Sequence, residues 1–264
     1  MAGLTYGDEA AAGYDRIFGR VSRHFVPFLL QAARVAPGMR VLDVATGTGL
    51  AAEAALAVVG NSGSVVAADV SPAMVERARE RLRGVPNATV AVADGQALSL
   101  PDGSFDAVLC SVGLMFFPDP AKGLSEFRRV LRPGGRAAVS VNTVPERSFS
   151  TRINVVIGRH VPTLAEAASR VFSLGDEVRL RFLFEAAGFA EVEVSTEAHR
   201  FAVPSFDAYF EPVERGGGSS GQAYIALPDA VRRAVREEVR RDLGDTGGPI
   251  EIEVEIRFAS ARRG

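Results

Sequence analysis

One cysteine, no tryptophan and three histidines stand in a chain of 264 residues. A lone Cys110 cannot form an internal disulfide, which excludes a disulfide-stapled scaffold and fits a reducing cytoplasm. No uninterrupted apolar run approaches the ~20 residues that a bilayer crossing needs. The opening "MAGLTYGDEAAAGYDR" has no charged segment leading into an apolar stretch, so no secretory signal is expected. A surplus of one charge is also missing. The 30 basic and 32 acidic residues leave a net of −2, which argues against a nucleic-acid groove or an anionic membrane surface as the main partner. No metal-ligating cluster is read either.

What is present is a large apolar fraction, 47% with 8% aromatic, enough to bury the core of one substantial α/β domain spanning 1–264. Short apolar runs alternate with helical patterns through the first half. "RVLDVA" (Arg40 to Ala45), "SVVAAD" (Ser64 to Asp69), "ATVAVA" (Ala88 to Ala93), "FDAVLCS" (Phe105 to Ser111) and "RAAVSVN" (Arg136 to Asn142) read as strands. Between them run a helix over about Leu50 to Val59, one capped by Ser71 with Pro72 in its first turn, and the amphipathic "PAKGLSEFRRVLR". Asp119 is placed to cap this last helix, and "PGG" at Pro133 to Gly135 to stop it. Continuous apolar strands with intervening helices imply a mostly parallel sheet covered on both faces.

The second half changes character. Residues 143–175 and 204–249 carry helical patterns and read as inserts, the latter holding a flexible "RGGGSSG" at Arg215 to Gly221. "DEVRLRFLFEAAGF" is a helix stopped by Gly188. "AEVEVSTEAHRFAV" and "IEIEVEIRFASA" alternate as strands do, the last plausibly antiparallel beside its predecessor.

"VLDVATGTGLAAEAA" (Val41 to Ala55) carries the first chemical signal: a strand, a glycine-rich bend and a helix. A phosphate-gripping loop would need a lysine and a hydroxyl after the glycines, where Leu50 and Ala51 stand. A dinucleotide site fits better, because Gly47, Gly49 and Ala52 satisfy G-x-G-x-x-G/A and Asp69 lies 20 residues past Gly49. Asp43 opposes it: a carboxylate at the end of the first strand would repel a pyrophosphate. It suits a cationic ligand without phosphate, and S-adenosylmethionine (SAM) is one. The glycines would let backbone approach the ligand, Asp69 could accept both ribose hydroxyls, and Asp94 could take the adenine amine. Met74 either packs on the ring or belongs to the core. Asp43, Asp69 and Asp94 end three successive strands, which points to one shared ligand.

In those residues the chain resembles the class I SAM-dependent methyltransferases, most closely the ubiquinone/menaquinone-biosynthesis-type group acting on small molecules. "VLDVATGTG", "AADVSPAMVERAR" and "VADGQALSLPDGSFDAVLCSVGLMFFPDPAKGLSEFRRVLRPGGR" follow that group's motifs in order and spacing, with Ala45 where many relatives carry glycine. The resemblance implies a Rossmann-like, seven-stranded α/β sheet with an antiparallel last strand, residues 40–142 being the SAM-binding core and 1–39 a helical lid. It places Asp43, Ala45, Gly47, Thr48 and Gly49 along the methionine half of the cofactor. Asp69, Val70 and Met74 would hold ribose and adenine; Asp94, Gly95 and Gln96 would frame the adenine; Ser111 would sit under the sulfonium. Tyr14, with Arg16 and Phe18, falls where relatives place a helix over the cofactor, although ordinary packing accounts for Tyr14 and Phe18 slightly better.

The sulfonium makes the methyl an electrophile, so the protein needs chiefly to align a nucleophile and exclude water. The candidates for a base are His160, in the insert after the fifth strand, and His24; His199 lies on a strand leading away. Leu114, Met115, Phe116, Val156, Ile157, Phe172, Phe206, Tyr209 and Phe210 could line an apolar pocket for a hydrophobic or aromatic acceptor. An NAD-dependent oxidoreductase and a non-catalytic SAM-binding protein are the rival readings. A homodimer is left open.

Overall fold

Five apolar segments of the first half pair as parallel strands because each is flanked by helices that can cover both faces of a sheet. In the computed structural model, which describes residues 8–264 and side chains from residue 19 onward, β1 (Arg40–Val44), β2 (Ser64–Asp69), β3 (Ala88–Val92), β4 (Phe105–Ser111) and β5 (Leu131–Asn142) are joined by β6 (Phe189–Val203) and β7 (Ile250–Arg263). The order across the sheet is β3-β2-β1-β4-β5-β7-β6, with β7 antiparallel to both of its neighbours. The strand expected to close the chain thus inserts between its two predecessors.

Helix α1 (Asp8–Ala32) precedes β1, and α2 (Leu50–Val59), α3 (Pro72–Arg81) and α4 (Pro120–Val130) connect the parallel strands. The segment between β5 and β6 forms α5 (Arg152–His160), α6 (Ala165–Arg170) and α7 (Glu177–Ala186); α8 (Phe206–Glu214), α9 (Gly218–Ile225) and α10 (Asp229–Asp242) lie between β6 and β7. Neighbouring residues of one strand feed opposite cores: Val41 packs with α1 and α2, Leu42 with α4 and α7. That alternation puts apolar side chains on both sheet faces.

The expected caps form. Ser71 Oγ accepts from the Met74 amide and Asp119 Oδ1 from the Lys122 amide, while Gly188, at φ +82°, takes the left-handed turn after α7. Two expectations fail. Helix α4 ends at Val130, ahead of "PGG": Leu131 is already extended and pairs with Phe105, so these residues enter β5 through an irregularity in register. "RGGGSSG" is not a loose linker, since Gly218 opens α9 and buried Ser220 donates its hydroxyl to the Ser150 carbonyl at 3.0 Å. A Cβ on Gly221 would come within 2.5 Å of the Gly216 carbonyl carbon, so glycine here serves close packing.

Candidate active site

The carboxyl ends of β1, β2, β3 and β4 surround a cavity of about 320 Å³. This is where open α/β sheets bind ligands. The bend after β1 forms its floor. Gly47, at φ +57°, lines the cavity, and a Cβ there would meet no protein atom within 4 Å. Packing therefore does not demand the glycine; the left-handed backbone and close approach of a ligand do. Ala45 shares that conformation, φ +54°, which explains why glycine suits its position. Gly49, at φ +86°, serves another purpose, for a Cβ there would press on Ala78 of α3 at 3.3 Å.

Asp69 sits at the end of β2 with 9% of its surface exposed and reaches across to the bend. Its Oδ2 accepts from the Gly47 amide and its Oδ1 from the Ser71 amide, both at 2.9 Å. Burial holds its pKa above the usual carboxylate value, against the pull of those backbone bonds. Each oxygen keeps a further lone pair for a ligand hydroxyl. Asp94 is fixed by its own turn: Oδ1 accepts from the Gln96 amide at 2.9 Å and from Gln96 Nε2 at 3.3 Å, and Gln96 Oε1 in turn accepts from the Asp119 amide. Gly95 leaves room for Phe117, whose ring would lie 2.5 Å from a Cβ at that position. Val70, 53% exposed, and Met74 complete an apolar wall.

Of the residues singled out in the sequence, Ala45, Gly47, Asp69, Val70, Met74, Asp94, Gly95, Gln96 and Ser111 meet at this cavity. Thr48 and Gly49 stand behind it, and Arg81 Nε donates to the Thr48 carbonyl at 2.7 Å. Asp43 is also behind the wall, wholly buried, with Oδ2 accepting from the Thr46 hydroxyl at 2.5 Å and Oδ1 without a partner. Burial, reinforced by the charge of Asp69 and opposed by the Thr46 bond, raises its pKa to about 7. The side chain of Tyr14 lies outside the described residues. The cavity wall carries two carboxylates and, among the described residues, no lysine or arginine. That suits a cationic adenosine derivative and would repel a pyrophosphate.

The histidines are not brought to the site. His160 is exposed at the end of α5, with Nε2 2.7 Å from Glu238 Oε2 of α10. His24 stacks on His199 of β6, ring centroids 3.8 Å apart. Neither is among the described residues that line the cavity or its neighbour. The aromatic and aliphatic candidates fare similarly: only Phe116 faces the site, while Leu114, Met115, Val156, Ile157, Phe206, Tyr209 and Phe210 are core and Phe172 is half-buried elsewhere.

The His24–His199 stack has a consequence for stability. Burial first, then the charge of His199, lowers the His24 pKa, with Glu197 opposing. The unfolded chain then binds more protons than the native one just below pH 6.5, so this contribution is lost as pH falls through 6.5. Other groups, Asp43 among them, also titrate in this window, so the difference between proteins isolates His24. On moving from pH 7.5 to 5.5 the thermal midpoint of His24→Phe, which keeps a ring in the stack, should rise relative to that of the wild type. Equal pH-dependent shifts in calorimetric scans of the two proteins would refute this.

A second, smaller cavity of about 60 Å³ adjoins the first and shares Ser111, Val112 and Phe116 with it. Helix α1 supplies Phe25, the end of β5 supplies Ser140 and Asn142, and β7 supplies Val254 and Ile256. These positions lie too far apart in the chain for a local pattern to announce them. The available signal is the polar pair Ser140 and Asn142 in the apolar end of the strand. Val112 divides the two cavities in an uncommon conformation, φ +49° for a β-branched residue. Its amide donates to both the carbonyl and the hydroxyl of Ser140 at 3.0 Å, which holds the strained residue in place.

Comparison with known proteins agrees with this geometry. Residues 42–139 match a family described as a methyltransferase domain. The chain is 36% identical over 202 residues to the demethylmenaquinone methyltransferase of Clavibacter sepedonicus, covering 70% of this chain and 81% of that protein. It is 32% identical over 210 residues to the ubiquinone/menaquinone biosynthesis C-methyltransferase UbiE of Teredinibacter turnerae, covering 72% and 84%. A SAM-dependent methyltransferase from Aquifex aeolicus shares the fold, with a TM-score of 0.55 at 24% identity over 72% of this chain and 91% of that one. The chain belongs to the class I SAM-dependent methyltransferases of the ubiquinone/menaquinone-biosynthesis type. It is an enzyme, a methyltransferase that uses SAM; neither rival reading is favoured. No helix among the described residues is long and apolar enough to cross a membrane.

Proposed function

We propose that the acceptor is a compact, uncharged molecule presenting one electron-rich ring, held in the smaller cavity while SAM fills the larger, and that the reaction takes place in the cytoplasm. One observation carries this reading: the smaller cavity touches the larger along Ser111, Val112 and Phe116, and among its described lining residues there is no Asp, Glu, Lys, Arg or His. At about 60 Å³ it has space for roughly four or five waters, about one six-membered ring. Phe25, Phe116 and Phe149 provide apolar surface and exclude water. Free, buried Cys110 is consistent with a reducing compartment.

SAM supplies an electrophilic methyl on a sulfonium. In this reading Asp69 holds the ribose, while Asp94, Gly95, Gln96, Val70 and Met74 hold the adenine. Gly47 and Ala45 bring backbone to the methionine half, with Ser111 beneath the sulfonium. Helix α1 acts as the lid, with Tyr14 on its N-terminal half and Phe25 over the acceptor. Asp43 acts from behind the wall through its charge. With no titratable side chain among the described lining residues of the smaller cavity, catalysis rests on alignment and water exclusion, which suits an electron-rich ring carbon whose C–H proton leaves to solvent once the carbon is methylated. The names of the relatives, a ubiquinone/menaquinone biosynthesis C-methyltransferase and a demethylmenaquinone methyltransferase, favour that acceptor class.

The test uses SAM labelled in its methyl group with a substituted 1,4-benzohydroquinone, with ethanolamine phosphate and with a primary amine. Label on a ring carbon is expected, at a rate kept within threefold by His160→Ala and His24→Ala. Transfer to the phosphorylated or amine acceptor alone would overturn the reading.

A further inference from the structure

Among the described side chains that line the smaller cavity, Asn142 is the one with a buried polar atom that no hydrogen bond satisfies. It is the last residue of β5 and only 6% exposed, and its Nδ2 has no partner. Its neighbours satisfy themselves differently. Ser140, two residues earlier on the same sheet face, spends its hydroxyl on the Val112 amide. Across β7 the residue paired with Asn142 is Ile256, which is apolar and lines the same cavity. A buried amide without a partner costs about 1–3 kcal/mol, and an aliphatic side chain of similar size would avoid that cost. Leucine would suit such a wall if filling space were the only requirement.

We propose that Asn142 is a specificity-determining positioning residue: its carboxamide holds an oxygen substituent of the acceptor ring and so selects oxygen-bearing rings over plain hydrocarbon ones. An amide can donate to a carbonyl and accept from a hydroxyl, which matches a quinol or phenol oxygen in either role. With no charged group among the described lining residues, recognition here is by neutral hydrogen bonding, and carboxylate- or phosphate-bearing acceptors gain nothing from it. Ser140 links this contact to the cofactor side, because the residue two positions before Asn142 anchors the Val112 partition. An oxygen held by Asn142 therefore sets the ring's rotation relative to that partition. The inference rests on the smaller cavity being the acceptor site.

Phenol and toluene are near-isosteric and differ in one hydroxyl. Their dissociation constants would be measured by NMR titration of the protein saturated with S-adenosylhomocysteine. The wild type is expected to bind phenol about tenfold more tightly than toluene, the worth of one neutral hydrogen bond. Asn142→Leu should bring the ratio to about one by loss of phenol affinity, with toluene and S-adenosylhomocysteine affinities unchanged within twofold. Asn142→Ser serves if the leucine variant no longer binds S-adenosylhomocysteine, and should lower the same ratio. A ratio left at tenfold in the variants, or equal binding of the two rings by the wild type, would overturn the role of Asn142 and leave the acceptor cavity standing. Binding of neither ring by the loaded wild type would remove the acceptor cavity itself.

Discussion

Asp43→Asn is expected to stabilise the free protein at pH 8 and, in the same molecule, to weaken its hold on SAM. Asp43 is wholly buried, and one of its two carboxylate oxygens has no partner. Its pKa is pushed up to about 7 by burial, with a further contribution from the charge of Asp69. The folded chain thus binds this proton more tightly than the unfolded one does, so the contribution to stability is intact below about pH 4, falls as pH rises, and is fully lost above about 7. A shift of roughly three units corresponds to about 4 kcal/mol. Asparagine avoids that cost, and its carbonyl oxygen still accepts from the Thr46 hydroxyl, which now meets Asp43 Oδ2 at 2.5 Å.

In the proposed reading the carboxylate is a destabilising feature kept for the ligand. A cationic cofactor favours the ionised form, so binding near pH 6.5 should release part of a proton. Calorimetric titration with SAM in buffers of different ionisation enthalpy reads that proton directly. We expect the release to shrink by more than half in Asp43→Asn, and the affinity at pH 8 to fall by about ten- to a hundredfold, the worth of a charge–charge attraction at an effective dielectric near 20. Unchanged affinity would remove Asp43 from the binding machinery, and an unaltered melting temperature would contradict its buried charge.

Asp43 also shows what the sequence could and could not convey. That β1 ends in a carboxylate beside a glycine bend is legible, but a strand buried on both faces does not reveal which way a given side chain points. The spans of β2 and β4 and the Ser71 and Asp119 caps were readable because proline, serine and aspartate punctuate continuous apolar runs. "RGGGSSG" was misread because local glycine content says coil, whereas Ser220 and Gly221 are held by tertiary contacts that override propensity. Phe206, Tyr209 and Phe210 have the composition of a pocket and occupy the core, since both call for apolar side chains. Phe25, Asn142 and Ile256 share the wall of the smaller cavity only because α1 and β7 fold back over β5.

Asp69→Asn should lower SAM affinity a hundredfold or more while the protein stays folded. The carboxylate now accepts from two backbone amides, Gly47 at the bend and Ser71 at the start of α3, each at 2.9 Å. It thereby joins the glycine bend to the end of β2 and keeps lone pairs for two ribose hydroxyls. Hydrogen bonds to a charged group are worth about 1.5–3 kcal/mol each, so losing two gives at least a hundredfold. Asparagine brings a second penalty, because its NH2 must face either a backbone amide or a ribose hydroxyl where an acceptor stood. Alanine would free both amides and disturb the bend, which makes it the less informative substitution. Asp94→Asn is the internal comparison: Asp94 is exposed and its Oδ1 is already spent on Gln96, so a loss of about tenfold or less is expected there. Titration calorimetry with S-adenosylhomocysteine, alongside far-ultraviolet circular dichroism, separates binding from folding. A folded Asp69→Asn protein within threefold of the wild-type affinity would mean that the ribose is held elsewhere in the crevice.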